Sequence, residues 1–179
     1  MKHTVMLHVL GRARLHAGPQ GADSISLPAK SLALLIYIAL ERRYVRREVL
    51  ADMFWGDTGD EGARANLRLA PSKLRQRLPG VIHADAETIG LDPSAQVEVD
   101  ALSLLRTAET AGHQSAALLG SAIAGYDGPF LQDFQLRDCA AFDDWVGIQR
   151  QRIDRSAVVI LRELVRLEQQ ARHMHNELQ

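Results

Sequence analysis

Ala63-Arg64-Ala65-Asn66-Leu67-Arg68-Leu69-Ala70-Pro71-Ser72-Lys73-Leu74-Arg75-Gln76-Arg77-Leu78 is the stretch on which the reading of this chain turns. At about 100° per residue, Leu67, Ala70, Leu74 and Leu78 fall on one stripe of a helix. Arg64, Arg68 and Arg75 fall on a neighbouring stripe, with Ser72 at its edge. The apolar stripe can dock on other helices. The arginine stripe then faces outward, and no acid interrupts it between Arg64 and Arg77. A helix fits the major groove of B-form DNA, and a planar guanidinium can bond guanine edges or phosphates.

Working outward, Pro79-Gly80 stops this helix, and Gly56-Asp57-Thr58-Gly59-Asp60-Glu61-Gly62 is a breaker loop before it. Val45 to Trp55 carries Val45, Val49, Leu50, Met53 and Phe54 at helical spacing and is basic at its start, through Arg46 and Arg47. Such a helix would lie across the DNA backbone in helix–turn–helix geometry. Lys30 to Glu41 is apolar on most faces and should lie deep in the core. Ahead of it, Thr4–Leu10, Arg12–His16 and Ser24–Leu27 read as three short strands, with a turn-forming cluster at Ala17-Gly18-Pro19-Gln20-Gly21. After the stretch, Val81–Ala84 and Glu87–Leu91 flank Asp85-Ala86 as a hairpin that could reach a neighbouring groove. Asp92-Pro93-Ser94 is the best linker. Beyond it the pattern is helical: Val99–Ala111, Ser115–Tyr126, a turn at Asp127–Phe130, and one long helix from Ala141 to about His173.

Charge supports the same segment. The chain has 179 residues and a net charge of −1. Between Arg42 and Arg77, nine basic residues stand against five acidic ones, a net of +4 that leaves −5 for the rest. A localised basic segment in an acidic chain suggests a polyanion site. Charge pattern alone does not separate a DNA reader from a solvated basic face; the order of strands, three helices and hairpin favours the reader. The balance of 46% hydrophobic and 24% charged residues excludes disordered, collagen-like and disulfide-scaffold classes. The longest apolar run, Ser31 to Leu40, is too short to span a bilayer, so no membrane partner is expected. A single cysteine, Cys139, and an N-terminus without signal-peptide features favour a cytoplasmic, bacterial-type location.

These motifs resemble a known family. Lys30-Ser31-Leu32-Ala33-Leu34-Leu35, Val45-Arg46-Arg47-Glu48-Val49-Leu50-Ala51-Asp52-Met53-Phe54-Trp55, Ala63-Arg64-Ala65-Asn66-Leu67-Arg68 and Ser72-Lys73-Leu74-Arg75 are similar to the winged helix of Streptomyces antibiotic regulatory proteins. Tyr126-Asp127-Gly128-Pro129-Phe130-Leu131, Phe142-Asp143-Asp144-Trp145-Val146 and Gln149-Arg150 resemble the start of the bacterial transcriptional activation domain that follows it. The resemblance implies a mixed, mainly α fold. A response-regulator-type winged helix would occupy 1–93, and an all-α, TPR-like region, expected to be incomplete, would occupy 94–179. It implies an activator that binds direct-repeat promoter elements, usually as a homodimer, and helps recruit RNA polymerase. In this family Ala63–Leu78 would be the recognition helix, Val81–Leu91 the wing, and Gly56–Gly62 the loop that can face polymerase. The residues expected at double-stranded DNA are Arg46, Arg47, Arg64, Asn66, Arg68, Ser72, Lys73, Arg75, His83 and Thr88.

Two features depart from the family. Pro71 sits inside the recognition helix, where it removes the amide that would bond the Leu67 carbonyl, at a cost of about 3 kcal/mol or more. A kink near Leu67–Pro71, or a helix restarting at Pro71, is expected. Either it is tolerated with DNA binding kept, or Arg64 and Arg68 fall out of line with Arg75 and binding weakens. In the second case the winged helix becomes a scaffold for protein–protein contacts. The chain also stops within or just after its first long helix, although helix pairs need neighbours to cover their apolar faces. A fragment, a natural short form and a chain that pairs with itself all fit.

No residue set points to catalysis. There is no nucleophile elbow, zinc-protease motif or paired catalytic carboxylate, and the loop acids Asp57, Asp60 and Glu61 have neither phosphate-loop nor calcium-loop spacing. His173 and His175 are two apart and diverge on a helix. An enzyme, a metal or a cofactor is not expected. Trp55, Trp145 and Cys139 read as packing residues. Asp127, Asp133, Asp138, Asp143 and Asp144, set against Arg137 alone in their segment, read as an acidic surface.

Overall fold

The computed structural model describes residues 4–18 and 23–177. The expected turn at 19–21 and the side chains of Asp60 and His175 lie outside the described residues. The elements run β1 (Thr4–His8), β2 (Arg14–Ala17), β3 (Asp23–Ser24), α1 (Ala29–Glu41), β4 (Val45–Arg46), α2 (Arg47–Trp55), α3 (Gly59–Arg77), β5 (Ile82–Ala84), β6 (Thr88–Leu91), β7 (Gln96–Val99), α4 (Asp100–Glu109), α5 (Ala116–Ala124) and α6 (Ala140–Glu177). The fold is mixed and mainly helical. Among the described residues, no helix is long and apolar enough to cross a membrane.

Two small sheets frame α1. The first has the order β3-β2-β1-β7, with β2 antiparallel to β1 and β7 parallel to it. The register pairs Val5 with Val97 and Leu7 with Val99, and these four alternating residues are buried. The second, ordered β4-β6-β5, is antiparallel throughout and forms the wing. Between them α1 buries Ser31 and every residue from Ala33 to Ala39, as its all-round apolar pattern requires.

The helical half is joined to this core by aromatic packing. Trp145 of α6 lies 5.0 Å from the Tyr37 ring, 5.9 Å from Phe130 and 5.6 Å from Phe142, which in turn lies 5.3 Å from Phe54 of α2. The Trp145 indole N–H donates to Glu41 Oε1 at 3.1 Å, and the buried Cys139 thiol donates to the Phe54 carbonyl at 3.3 Å. Asp100 opens α4. Its carboxylate accepts the backbone N–H groups of Val9 (2.9 Å), Leu10 (3.1 Å) and Ala101 (2.7 Å), fixing the end of β1 to α4. Beside this joint, Gly11 sits at φ +96 with Asp127 Cβ 3.2 Å from where its own Cβ would stand, so a side chain here would be strained in backbone and crowded by Asp127.

Several boundaries differ from the sequence reading. Val45 and Arg46 form a strand, β4, because Val45 pairs with Ile89 and is drawn into the wing; α2 starts only at Arg47. Gly56–Thr58 is a single 3₁₀ turn and α3 begins at Gly59, so the second half of the expected breaker loop is helical. The strand at β3 covers only Asp23–Ser24, and the expected linker is followed at once by β7. The helix does not restart at Pro71: α3 is continuous from Gly59 to Arg77, with Pro71 buried inside it. Asp127 and Asp133 are not a bare acidic surface. Asp127 pairs with Arg14 at 2.8 Å and Asp133 with Arg12 at 3.5 Å. Finally, α6 is 38 residues long, about 57 Å at 1.5 Å per residue. It buries Phe142, Val146, Ile153, Ala157 and Ile160, while Val158, Leu161 and Val165 remain exposed.

Candidate nucleic-acid interface

The candidate interface lies on α2, α3 and the wing. α2 buries Leu50, Ala51, Phe54 and Trp55. α3 buries Ala63, Leu67, Ala70 and Leu74, and Leu78 just past its end, each 5% exposed or less; Leu67, Ala70, Leu74 and Leu78 are the apolar stripe expected of the sequence. The opposite side of α3 is open: Arg64, Ala65, Arg68, Leu69, Ser72, Lys73, Arg75 and Gln76 are exposed, and Asn66 is half-buried. Among the described residues, no carboxylate comes within ion-pair distance of Arg64, Arg68 or Lys73. Glu48 and Asp52 line the cleft between α2 and the start of α3 that Arg64 also borders. Arg46, the residue before α2, is exposed as well.

The wing engages the remaining candidates. β5 is an edge strand, and its Ile82 and Ala84 carbonyls point away from β6. The Arg75 guanidinium reaches back from α3 to both, Nε to Ile82 O at 3.5 Å and Nη2 to Ala84 O at 3.0 Å. This satisfies carbonyls that would otherwise form an open sheet edge. From α2, Arg47 Nη1 donates to Asp85 O at 3.0 Å and its backbone N–H to Glu87 O at 2.8 Å. Thr88 donates its hydroxyl to Asp85 Oδ2 at 3.1 Å and its N–H to Asp85 Oδ1 at 2.7 Å. The N–H groups of Thr88 and then Glu87 are the main reason the Asp85 carboxyl lies below the usual carboxylate range. His83 stands 3.7 Å from Asp85 Oδ2 and edge-on to Tyr44 at 5.4 Å. Tyr44 in turn lies across Gly90, where a Cβ would meet its ring at 2.6 Å.

The expected residues therefore fall into two sets. Arg46, Arg64, Arg68, Ser72 and Lys73 face solvent around α2 and α3, with the half-buried Asn66 at the edge of this set. Arg47, Arg75, Thr88 and His83 also lie on this side, but all have partners within the wing. The arginine row is less free than its sequence spacing suggests, because Arg75 is held against the wing edge. Two features escaped the sequence reading. The wing tip, Asp85-Ala86-Glu87, is exposed and carries two carboxylates. The row of α3 farthest from the core is Ala65, Leu69, Ser72 and Gln76, which the 100° periodicity alone could have revealed.

No family model matches the sequence, and no curated protein matches it. Among solved structures it is similar to Mycobacterium tuberculosis EmbR in complex with a low affinity phosphopeptide, with a TM-score of 0.63 and 19% sequence identity. The match covers 87% of this chain and 44% of that one, so this chain spans less than half the length of its structural neighbour. At this identity the likeness is one of fold.

Proposed function

We propose that this chain is a sequence-specific DNA-binding transcriptional regulator of the Streptomyces antibiotic regulatory type, with α3 as the helix that enters the major groove. The observation that carries the reading is the uninterrupted α3. Its inner stripe is fully packed, while Arg64, Arg68 and Lys73 project with no carboxylate within ion-pair distance among the described residues. Uncompensated cations flanking an exposed helix face fit phosphates on either wall of a groove. Arg46, at the start of α2, is placed for the adjoining backbone. Following the family resemblance, the reading extends to activation at direct-repeat promoter elements, with pairing of two copies and contact to RNA polymerase.

Selection of bound duplexes from a random-sequence pool tests this, with Arg68→Ala as the control. Enrichment of a repeated motif by the native chain, bound more weakly by the variant, is the expected result. No enrichment by either would overturn the reading. The acidic wing tip favours a second reading, a winged-helix scaffold for protein contacts, under which any DNA binding is absent or flat with salt.

A further inference from the structure

We infer that Leu69, with Ala65 beside it, reads thymine methyl groups in the major groove; the inference rests on the DNA-binding reading above. The buried stripe of α3 is Ala63, Leu67, Ala70, Pro71, Leu74 and Leu78. At about 100° per residue the row directly opposite is Ala65, Leu69, Ser72 and Gln76. Leu69 is 58% exposed. Arg64 and Arg68 lie to one side of that row and Lys73 to the other, so the cations suit the two phosphate walls and the central row meets the base edges. The central row begins with a methyl and an isobutyl group one turn apart, neighbours on the helix surface.

The chemistry of the groove then selects the base. Guanine, adenine and cytosine present hydrogen-bonding groups there, and thymine alone adds an apolar C5-methyl. Leucine against an N7 or O6 acceptor would strip that acceptor of water and return nothing. Leucine against the thymine methyl removes two apolar surfaces from water together. A lone exposed leucine is ordinary on most surfaces. This one stands at the centre of a face whose cations are all displaced to the flanks.

The test starts from the duplex that the native chain enriches from a random pool. Each thymine is replaced in turn by deoxyuridine, which removes only the 5-methyl. One replacement should weaken native binding about fourfold, the worth of one buried methyl-sized group. The same replacement should leave Leu69→Ala indifferent, since the interaction is already gone, while Leu69→Met keeps the sensitivity. The salt dependence of native chain and Leu69→Ala should coincide, because no charge is exchanged. If a motif is enriched but contains no thymine, or every deoxyuridine duplex binds equally to the native chain, the inference falls and DNA binding stands. If the native chain enriches no duplex, both fall.

Discussion

Replacing Glu87 with lysine should turn the wing from an element that resists DNA into one that holds it. The tip is tethered to both helices: Arg47 bonds the Asp85 carbonyl at 3.0 Å and Arg75 the Ala84 carbonyl at 3.0 Å. Asp85 stays ionised through its bonds from Thr88 and Glu87, so the native tip carries two negative charges. Glu87→Lys brings that pair to neutrality, a change of two units. Unit charges 4 Å apart in water interact by about 1 kcal/mol, so two units against one phosphate set a ceiling of about 2 kcal/mol. Screening over about 10 Å at 0.1 M salt reduces this to roughly three- to tenfold in affinity. One added phosphate contact should also steepen the salt dependence by about 0.9 in log–log slope. Fluorescence anisotropy of a labelled random-sequence duplex across a salt series reads both quantities. Unchanged affinity and slope would place the tip away from DNA and refute a docking in which α3 and the wing share one duplex.

Other consequences follow from particular contacts. Pro71→Leu restores the amide that the Leu67 carbonyl lacks and should raise stability by up to about 3 kcal/mol. Since α3 is already continuous, DNA affinity should stay within about twofold, a difference of under half a kcal/mol; a large gain would mean that Pro71 misaligns the arginines. Asp100→Ala strands three backbone N–H groups, those of Val9, Leu10 and Ala101. At about 1–3 kcal/mol each, partly offset by removing a half-buried carboxylate, the loss in urea unfolding should be about 3 kcal/mol. A loss below about 1 kcal/mol would show that this joint contributes little. Tyr126 donates its hydroxyl to Asp154 at 2.7 Å, and burial, then Asp154, pushes its pKa up to about 12. The folded chain thus holds this proton more tightly than the unfolded one. The stability so gained is present below the ordinary phenol pKa of about 10 and is lost as pH climbs towards the folded value. The Tm gap between native chain and Tyr126→Phe should therefore shrink across that window, and a constant gap would count against the bond.

The parts of the fold that periodicity governs were legible in the sequence. The inner stripe of α3, the all-round burial of α1 and the β5–β6 hairpin are local patterns, and each forms where its spacing puts it. Strand β7 was not read, although Gln96-Val97-Glu98-Val99 alternates strictly. Its partner is β1, more than ninety residues away in register, and nothing local announces a parallel pairing of that span. Arg75 shows the same limit at the interface. Its helical phase groups it with Arg64 and Arg68, but a long side chain goes where acceptors are, and the open edge of β5 supplies two. Arg47 is diverted likewise by the carbonyl of Asp85. Asp127 and Asp133 were read within their own segment, whereas their partners Arg14 and Arg12 come from the other end of the chain.

The salt dependence of DNA binding bears most directly on the central idea. Of the residues expected at DNA, Arg46, Arg64, Arg68 and Lys73 are the exposed cations with neither an ion pair nor a side-chain hydrogen bond among the described residues. At about 0.9 per neutralised phosphate, their number sets an expected log–log slope of about −3 to −4 on duplex DNA, falling in magnitude by about 2 when Arg64 and Arg68 are both changed to alanine. A slope near zero, or one that the double substitution leaves untouched, would contradict the assignment of α3 as the surface that meets DNA.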